Sequence, residues 1–383
     1  MKNLTIVYHY FAHYREPVLR ELCKHLTTDY RVELMADSKA DLPAMKTIPM
    51  SEFTSGLCEF RLLKNIWLGP WLWQAGLLRG IIKGKSDVII FLGQFNFLST
   101  WIAVLLARLM GKKTYFWSHG VYGNEGKLKR VIRVSFYKLA DGMLLYGNYS
   151  RDLLINYGMC ADRLHVIYNS LDYKLQKSLR EQKQESMVLE LRRELFGSNN
   201  PYIIFVGRLT KVKRLDLLLS ALPEMNRDSE RNVRCVIVGD GPERQALELQ
   251  VKTNGLEGIV QFYGACHDEE TLSDLIYAAD VCVAPGNVGL TAMHSLAYGT
   301  PVITHDEKSW QMPEFEAIVP RVNGDFFIRD SVSDLTYKTC AVLDRSISNR
   351  TAVRASCCEV IDQKYNPEYQ AKVIARVIEG NGF

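Results

Sequence analysis

The sequence of 383 residues has no C-x-x-C pair, no unbroken apolar run long enough to cross a bilayer, no low-complexity segment and no internal repeat. Each absence removes a class. The nine cysteines, from Cys23 to Cys358, stand mostly in apolar runs such as those around Cys235 and Cys282, which reads as buried reduced thiols rather than a secreted disulfide framework. The best spanning candidate, 91–110, is broken by Gln94, Asn96, Ser99 and Arg108 and divides into a strand end, a loop and a buried helix. Met1 to Tyr8 pass straight into a strand-like run without the apolar core and cleavage site of a leader, so a cytoplasmic location is expected. A formal charge of +4 suits anionic small ligands or a membrane surface. It lacks the concentrated basic face of a nucleic-acid binder, so no nucleic-acid partner is expected.

What is present is a folded α/β pattern. Hydrophobic residues make up 47% and charged residues 23%, and the length exceeds what one core usually fills, so two domains are expected. Short β-branched runs at 4–8, 32–35, 88–92, 113–117, 142–146 and 164–167 alternate with helical patterns, implying parallel strands with crossover helices. A polar, charge-rich stretch from Asp172 to Asn200 reads as an exposed helix or linker. The pattern restarts at 202–206, 233–238, 260–263, 281–284 and 301–304. Ligands of open parallel sheets bind beyond the carboxyl ends of the strands, so chemistry is sought there.

Three motifs follow strands of the second half. In residues 205–216, Gly207 ends a strand and Arg208 and Lys213 precede a helix. Arginine grips phosphate oxygens bidentately, lysine adds a mobile point charge and the helix N-terminus adds its dipole, so the junction suits a diphosphate unless both cations only solvate the loop. In Val-Ile-Val-Gly-Asp-Gly-Pro-Glu-Arg, residues 236–244, Gly239 and Gly241 would let a base or ribose approach the backbone, while Asp240 and Pro242 equally suit a helix N-cap and first turn. In residues 283–303 the loop Gly286-Asn287-Val288-Gly289 leads into a helix at Leu290 and Thr291, and the amides of 288–291 are expected to point at an anion. His294, one turn inside, either reaches that ligand or simply packs.

These motifs over residues 202–328, with Ala278-Ala279-Asp280 and Asn323-Gly324, resemble the nucleotide-binding half of glycosyltransferase family 4. Val166-Ile-Tyr-Asn-Ser-Leu-Asp172 resembles that family's strand-end asparagine turn. The resemblance implies an α/β fold of the GT-B type, with two facing Rossmann-like domains, parallel sheets and an interdomain cleft. It implies a retaining transferase that takes a sugar from a nucleoside-diphosphate donor, without a cofactor or a required metal, to a saccharide or lipid-linked saccharide in cell-surface polysaccharide or lipopolysaccharide biosynthesis. Residues 1–172 are then the acceptor domain, 173–200 a linker, 201–365 the donor domain, and 366–383 a terminal helix packing back on the first domain. The family carries two glutamates with seven residues between them, and Gly286 and His294 stand in their places here. Thr291 and the loop amides are therefore expected to take the phosphate contact, and His294 to hydrogen-bond to ribose or phosphate. Glu316, or its neighbour Glu314, matches a glutamate the family often places near the donor.

In the first half, His13, Tyr14, Arg15 and Glu16 crowd the loop after the first strand, before a helix that Pro17 begins. Glu16 also suits a first-turn dipole partner. His13, Tyr14 and Arg15, with Gln94 and Asn96 after strand 88–92, are the expected acceptor contacts. Ser118-His119-Gly120 ends another strand, where the family commonly has a histidine beside the donor sugar. His119, Arg208 and Lys213 are the expected catalytic residues. No Asp-x-Asp pair sits at a strand end, in line with metal-free transfer. Ile66–Trp73 and the basic apolar run Lys127–Phe136 suit peripheral contact at the inner face of a membrane, or equally core helices with solvated cations. Two alternatives stay open: a nucleotide-sugar epimerase using the same grip, and a catalytically silent binding protein, which the two missing glutamates favour.

Overall fold

Apolar strands alternate with helices twice along the chain, and each series forms its own parallel sheet. The computed structural model describes residues 1–26, 29–41, 47–48, 58–227 and 232–380. Contacts divide the chain into two units, Met1–Leu171 with Asn366–Phe383, and Asp172–Tyr365. The stretch expected as a linker forms helices Tyr173–Glu181 and Glu185–Phe196 that belong to the second unit. Buried Arg192 ties the second of them there by pairing with Asp280 at 2.7 Å.

The first unit holds β1 (Lys2–Val7), β2 (Tyr30–Ala36), β3 (Glu59–Leu62), β4 (Lys64–Leu68), β5 (Trp71–Ala75), β6 (Val88–Leu92), β7 (Lys113–Ser118), β8 (Gly142–Leu145) and β9 (Leu164–Val166). Its parallel sheet runs β3-β2-β1-β6-β7-β8-β9. Central strands such as β6, Val-Ile-Ile-Phe-Leu, are apolar throughout because helices cover both faces. The terminal helix Pro367–Glu379 lies against helix Glu16–Leu26, and Tyr30 and Tyr115 donate to the carbonyls of Ile378 and Val377 at 3.4 and 3.2 Å. Residues 381–383 of the expected terminal helix lie outside the described residues.

Two expectations change here. The aromatic stretch 66–73 is not a helix, and only Leu72 of it is fully buried: Gly69, at φ 61°, and Pro70 turn it into the antiparallel hairpin β4–β5. Helix Leu98–Leu109 is not buried but leaves one apolar face in solvent. Among the described residues no helix is long and apolar enough to cross a membrane. All nine cysteines are free thiols, of which Cys23, Cys235, Cys282 and Cys357 are buried and Cys160 is exposed.

The second unit holds β10 (Tyr202–Val206), β11 (Arg234–Val238), β12 (Val260–Gly264), β13 (Val281–Val283), β14 (Val302–His305) and β15 (Gly324–Phe327), in the order β12-β11-β10-β13-β14-β15. β15 was not foreseen. It pairs so closely with β14 that a Cβ on Gly324 would collide with the Val302 carbonyl. The strand order reverses between β1 and β6 in one unit and between β10 and β13 in the other. The loops leaving those strands are where a parallel sheet opens a crevice.

Candidate active site

Beyond β10 and β13 the backbone forms a tight nest in which the glycines serve the protein itself. Gly239, at φ 144°, lies so close to the Gly207 carbonyl that a Cβ would collide with it, and Gly241 abuts the Leu209 carbonyl in the same way. On the side where a Cβ would stand, both glycines are thus closed off by the backbone of Gly207 and Leu209. Asp240 does not cap the following helix, which starts at Arg244; its carboxylate accepts the Gly241 amide at 2.7 Å.

The loop before helix Leu290–Ala297 is equally occupied. The Gly286 amide donates to the Lys213 carbonyl at 2.9 Å, and a Cβ at 286 would strike the Val212 carbonyl and lie 2.7 Å from Lys213 Cα. No glutamate fits at this position with the loop as it stands. Thr304 Oγ1 donates to the Gly286 carbonyl at 3.0 Å, and the Val288 amide donates to Gln311 Oε1 at 2.9 Å. Thr291 Oγ1 donates to the Val206 carbonyl at 2.7 Å. The Val288 amide and the Thr291 hydroxyl proton, both expected to meet phosphate, are therefore committed inside the fold.

What remains for an anion is the helix start and two cations. Gly289, Leu290 and Thr291 lie at the first turn, whose amides have no acceptor within a helix. Lys213 Nζ lies 4.0 Å from where a Cβ of Gly289 would stand and donates to the Asn287 carbonyl at 2.7 Å. Burial lowers Lys213 to about 8 against the opposing pull of Glu314. Glu314 is the fully buried carboxylate of its short helix, Glu316 the half-buried one. The Asn287 side-chain oxygen is buried without a hydrogen-bond partner among the described residues. Arg208 is exposed on the same loop as Gly207. Lys213 and the amides of 289–291 make an electropositive cradle at a helix N-terminus, and Arg208 stands on the loop that leaves β10.

His294 faces a carboxylate that sequence reading did not single out. Its Nε2 lies 3.5 Å from Glu269, which also accepts from Tyr298 Oη at 2.7 Å and Gln176 Nε2 at 3.0 Å. Burial pushes the Glu269 carboxyl up, but His294, Tyr298 and Gln176 outweigh it and hold it at about 2.

The first unit's strand ends have a different chemistry. His13–Arg15 forms a single 3₁₀ turn in which His13 is exposed and Tyr14 half-buried. Arg15 does not face a ligand openly. It is buried among the rings of Tyr8, Tyr14, Trp117 and Tyr146 at 5.2 to 5.6 Å, an arrangement worth about 0.5–2 kcal/mol per contact. His119 stands in a fixed turn. Gly120 follows at φ 73°, the Gly120 amide donates to Ser118 Oγ at 3.1 Å, and the Val121 amide donates to Ser150 Oγ at 3.0 Å. Burial, then the charges of Arg15 and Arg133, lower His119 to about 4, so its imidazole is neutral at pH 7. Its ring lies 4.7 Å from that of Tyr146. Gln94 is half-buried beside β6. Asn96 is spent on the hairpin: its side chain donates to the Pro70 carbonyl at 2.7 Å and its own carbonyl accepts the Leu72 amide at 3.0 Å. His9, near 4 through burial and 3.4 Å from Asp41, is a second perturbed imidazole that its position after β1 alone did not single out. Among the described residues, no three of His, Cys, Asp and Glu converge as a metal-binding group.

Comparison with known proteins follows this division. Residues 16–175 match the family model described as Glycosyltransferase Family 4, and residues 189–336 the model described as Glycosyl transferases group 1. An uncharacterized glycosyltransferase of Methanocaldococcus jannaschii is 27% identical over 192 residues, 48% of this chain and 47% of that protein. The alpha-monoglucosyldiacylglycerol synthase of Streptococcus pneumoniae is 28% identical over 196 residues, 50% of this chain and 43% of that protein. The chain thus spans between about a quarter and about a half of the length of the curated relatives it matches. The crystal structure of Anabaena HepE in complex with UDP superposes with a TM-score of 0.72 at 18% identity, covering 99% of this chain and 100% of that one. At that identity the likeness is one of fold, the GT-B architecture.

Proposed function

Because this chain belongs to the family 4 glycosyltransferases, we propose that it moves a sugar from a nucleoside-diphosphate donor to a saccharide or lipid-linked saccharide acceptor, in cell-surface polysaccharide or lipopolysaccharide biosynthesis. The observation that carries this reading is the cradle of Lys213 and the open amides at Gly289–Thr291, at the strand-order reversal of the second sheet. The reaction retains anomeric configuration and needs no metal. The departing diphosphate accepts the proton of the incoming hydroxyl, while Lys213 and Arg208 stabilise the charge that grows on it as the glycosidic bond breaks. His119, neutral, hydrogen-bonds to the sugar without adding charge. His294 and the Asn287 carboxamide take donor hydroxyls. The protein acts in the cytoplasm, at the inner face of the cell membrane when its acceptor is lipid-linked.

HepE is seen with UDP, which makes UDP the first nucleotide to try, with GDP and ADP beside it. A ligand bound only by the folded state adds about 2.7 kcal/mol at a hundred-fold excess over its Kd, so a clear rise in thermal midpoint is expected with one of them. If none of the three raises it at millimolar concentration, the donor site is wrong. Arg208→Ala is expected to lower transfer on the order of 10²–10³-fold with the thermal midpoint of the free protein unchanged. Undiminished turnover would remove Arg208 from the mechanism.

A further inference from the structure

The first unit carries a surface that sugar transfer does not use. Between positions 77 and 138 stand eleven lysines and arginines against two carboxylates, Asp87 and Glu125. That is a local charge of +9 in a chain whose total is +4, so the remaining residues together carry −5. The mild overall charge therefore conceals a basic region. Glu125 is itself spent on Arg133 at 2.5 Å.

The same stretch turns apolar side chains outward. On helix Leu98–Leu109, Leu98, Ile102, Leu105 and Leu109 are 37, 46, 48 and 87% exposed. Their spacing of four, three and four places them on one face. Beside it, helix Lys127–Tyr137 exposes Leu128 and Val131, at 75 and 59%, among Lys127, Lys129 and Arg130. The two helices are joined by the Trp101 and Phe136 rings at 4.8 Å, and Arg108 of the first donates to the Leu139 carbonyl just past the second at 2.8 Å. The β4–β5 hairpin, fastened to the start of the first helix through Asn96, adds exposed Trp67 and Trp71.

An exposed apolar row inside a basic field selects its occupant by charge. A second copy of the chain, meeting this face with the same face, would set Lys127, Lys129 and Arg130 against their own like charges. Nucleic acid would use the cations and leave the leucines in water. A bilayer surface carrying anionic lipid uses all three features: leucines enter the acyl boundary, indoles settle at headgroup level and cations meet the phosphates. We propose that this face of the first unit binds an anionic membrane surface, lying on it without crossing. The proposal rests on the membrane part of the reading above and needs nothing of the donor site.

The test is flotation of the full chain with vesicles of phosphatidylcholine containing phosphatidylglycerol, against phosphatidylcholine alone. Binding is expected to the first only and to weaken with added salt. Each cation lost from Lys127→Gln with Lys129→Gln is expected to weaken it about five-fold, and Leu105→Asp with Leu109→Asp to weaken it on the order of ten-fold or more. All four residues are exposed, so thermal midpoints stay at the parent value. The rise given by the stabilising nucleotide stays too, which separates failure here from failure of the donor site. No binding to anionic vesicles at low salt, equal binding to phosphatidylcholine alone, binding indifferent to both pairs, or a solution dimer that the leucine pair dissociates would each overturn the proposal.

Discussion

The strand ends of the two units meet charge in opposite ways. In the second unit Lys213 is half-buried at a helix start, with Glu314 the carboxylate that acts on it, and Arg208 is exposed, so an incoming anion adds counter-charge to that of Glu314. In the first, Arg15 is enclosed by four aromatic rings and His119 is held neutral. The first site offers ring faces and a neutral imidazole, suited to sugar hydroxyls and ring faces and poorly suited to a diphosphate. Two cations at equivalent strand ends thus differ in what surrounds them, and that difference is the ground on which the proposal places the donor's charge in the second unit.

The largest expected effect tests that assignment directly. Lys213→Ala should lower transfer on the order of 10²–10³-fold and abolish the stabilisation given by the nucleotide. Arg15→Met should lower the stability of the free protein and leave the nucleotide-induced rise in midpoint intact. An equal loss of that rise in both variants breaks the comparison. Because Lys213 sits near 8, nucleotide binding should weaken as pH rises through that value and the ammonium loses its proton. Next in size is Gly286→Ala, expected to cost about 1–3 kcal/mol by overpacking against residues 212–213, read from urea midpoints. Gly286→Glu should cost more and bring no gain in activity, since the backbone of Val212 and Lys213 already occupies the place of its Cβ.

Proton linkage gives a smaller effect and divides by pH. His119 and His9 titrate near 4 in the folded first unit against an ordinary 6.5. The unfolded chain takes up protons between pH 6.5 and 4 while the folded chain does not, so stability falls through that window and levels off below it. His305 adds the same sign in the second unit. Glu269, at about 2 against 4.5, acts lower: its contribution is full above 4.5 and is lost as pH falls toward 2. His119→Gln should flatten the fall between pH 6.5 and 4 and leave the lower part unchanged, as measured by urea midpoints at successive pH values.

The sheets were legible in sequence because buried parallel strands are continuous β-branched runs, a local signal. So was the cation-bearing loop at 207–213, since Gly207, Arg208 and Lys213 are near neighbours. What was not legible is partnership at a distance. Nothing near Val288 announces that Gln311 accepts its amide, or near Thr291 that the Val206 carbonyl takes its proton. The cage around Arg15 is assembled from Tyr8, Trp117 and Tyr146, which only the sheet order brings together. The hairpin did leave a signal, the Gly69-Pro70 pair between two short apolar runs, and a turn there accounts for the aromatic stretch better than a helix does.

Glu269 gives the smallest and most discriminating effect. It lies outside the loop that lacks both family glutamates, yet its carboxylate reaches His294 from the helix after β12. Both side chains are about a quarter exposed, so the pair contributes in the range of a part-solvated ion pair, about 0.2–1 kcal/mol. Glu269→Gln should therefore weaken nucleotide affinity no more than about five-fold, by leaving the imidazole less firmly oriented. Glu269→Asp, which shortens the reach and keeps the charge, should recover part of the loss. Titration calorimetry with the stabilising nucleotide resolves differences of this size. If Glu269→Gln binds as the parent does while His294→Ala does not, the imidazole works without its carboxylate and the dyad is only a tie between helices.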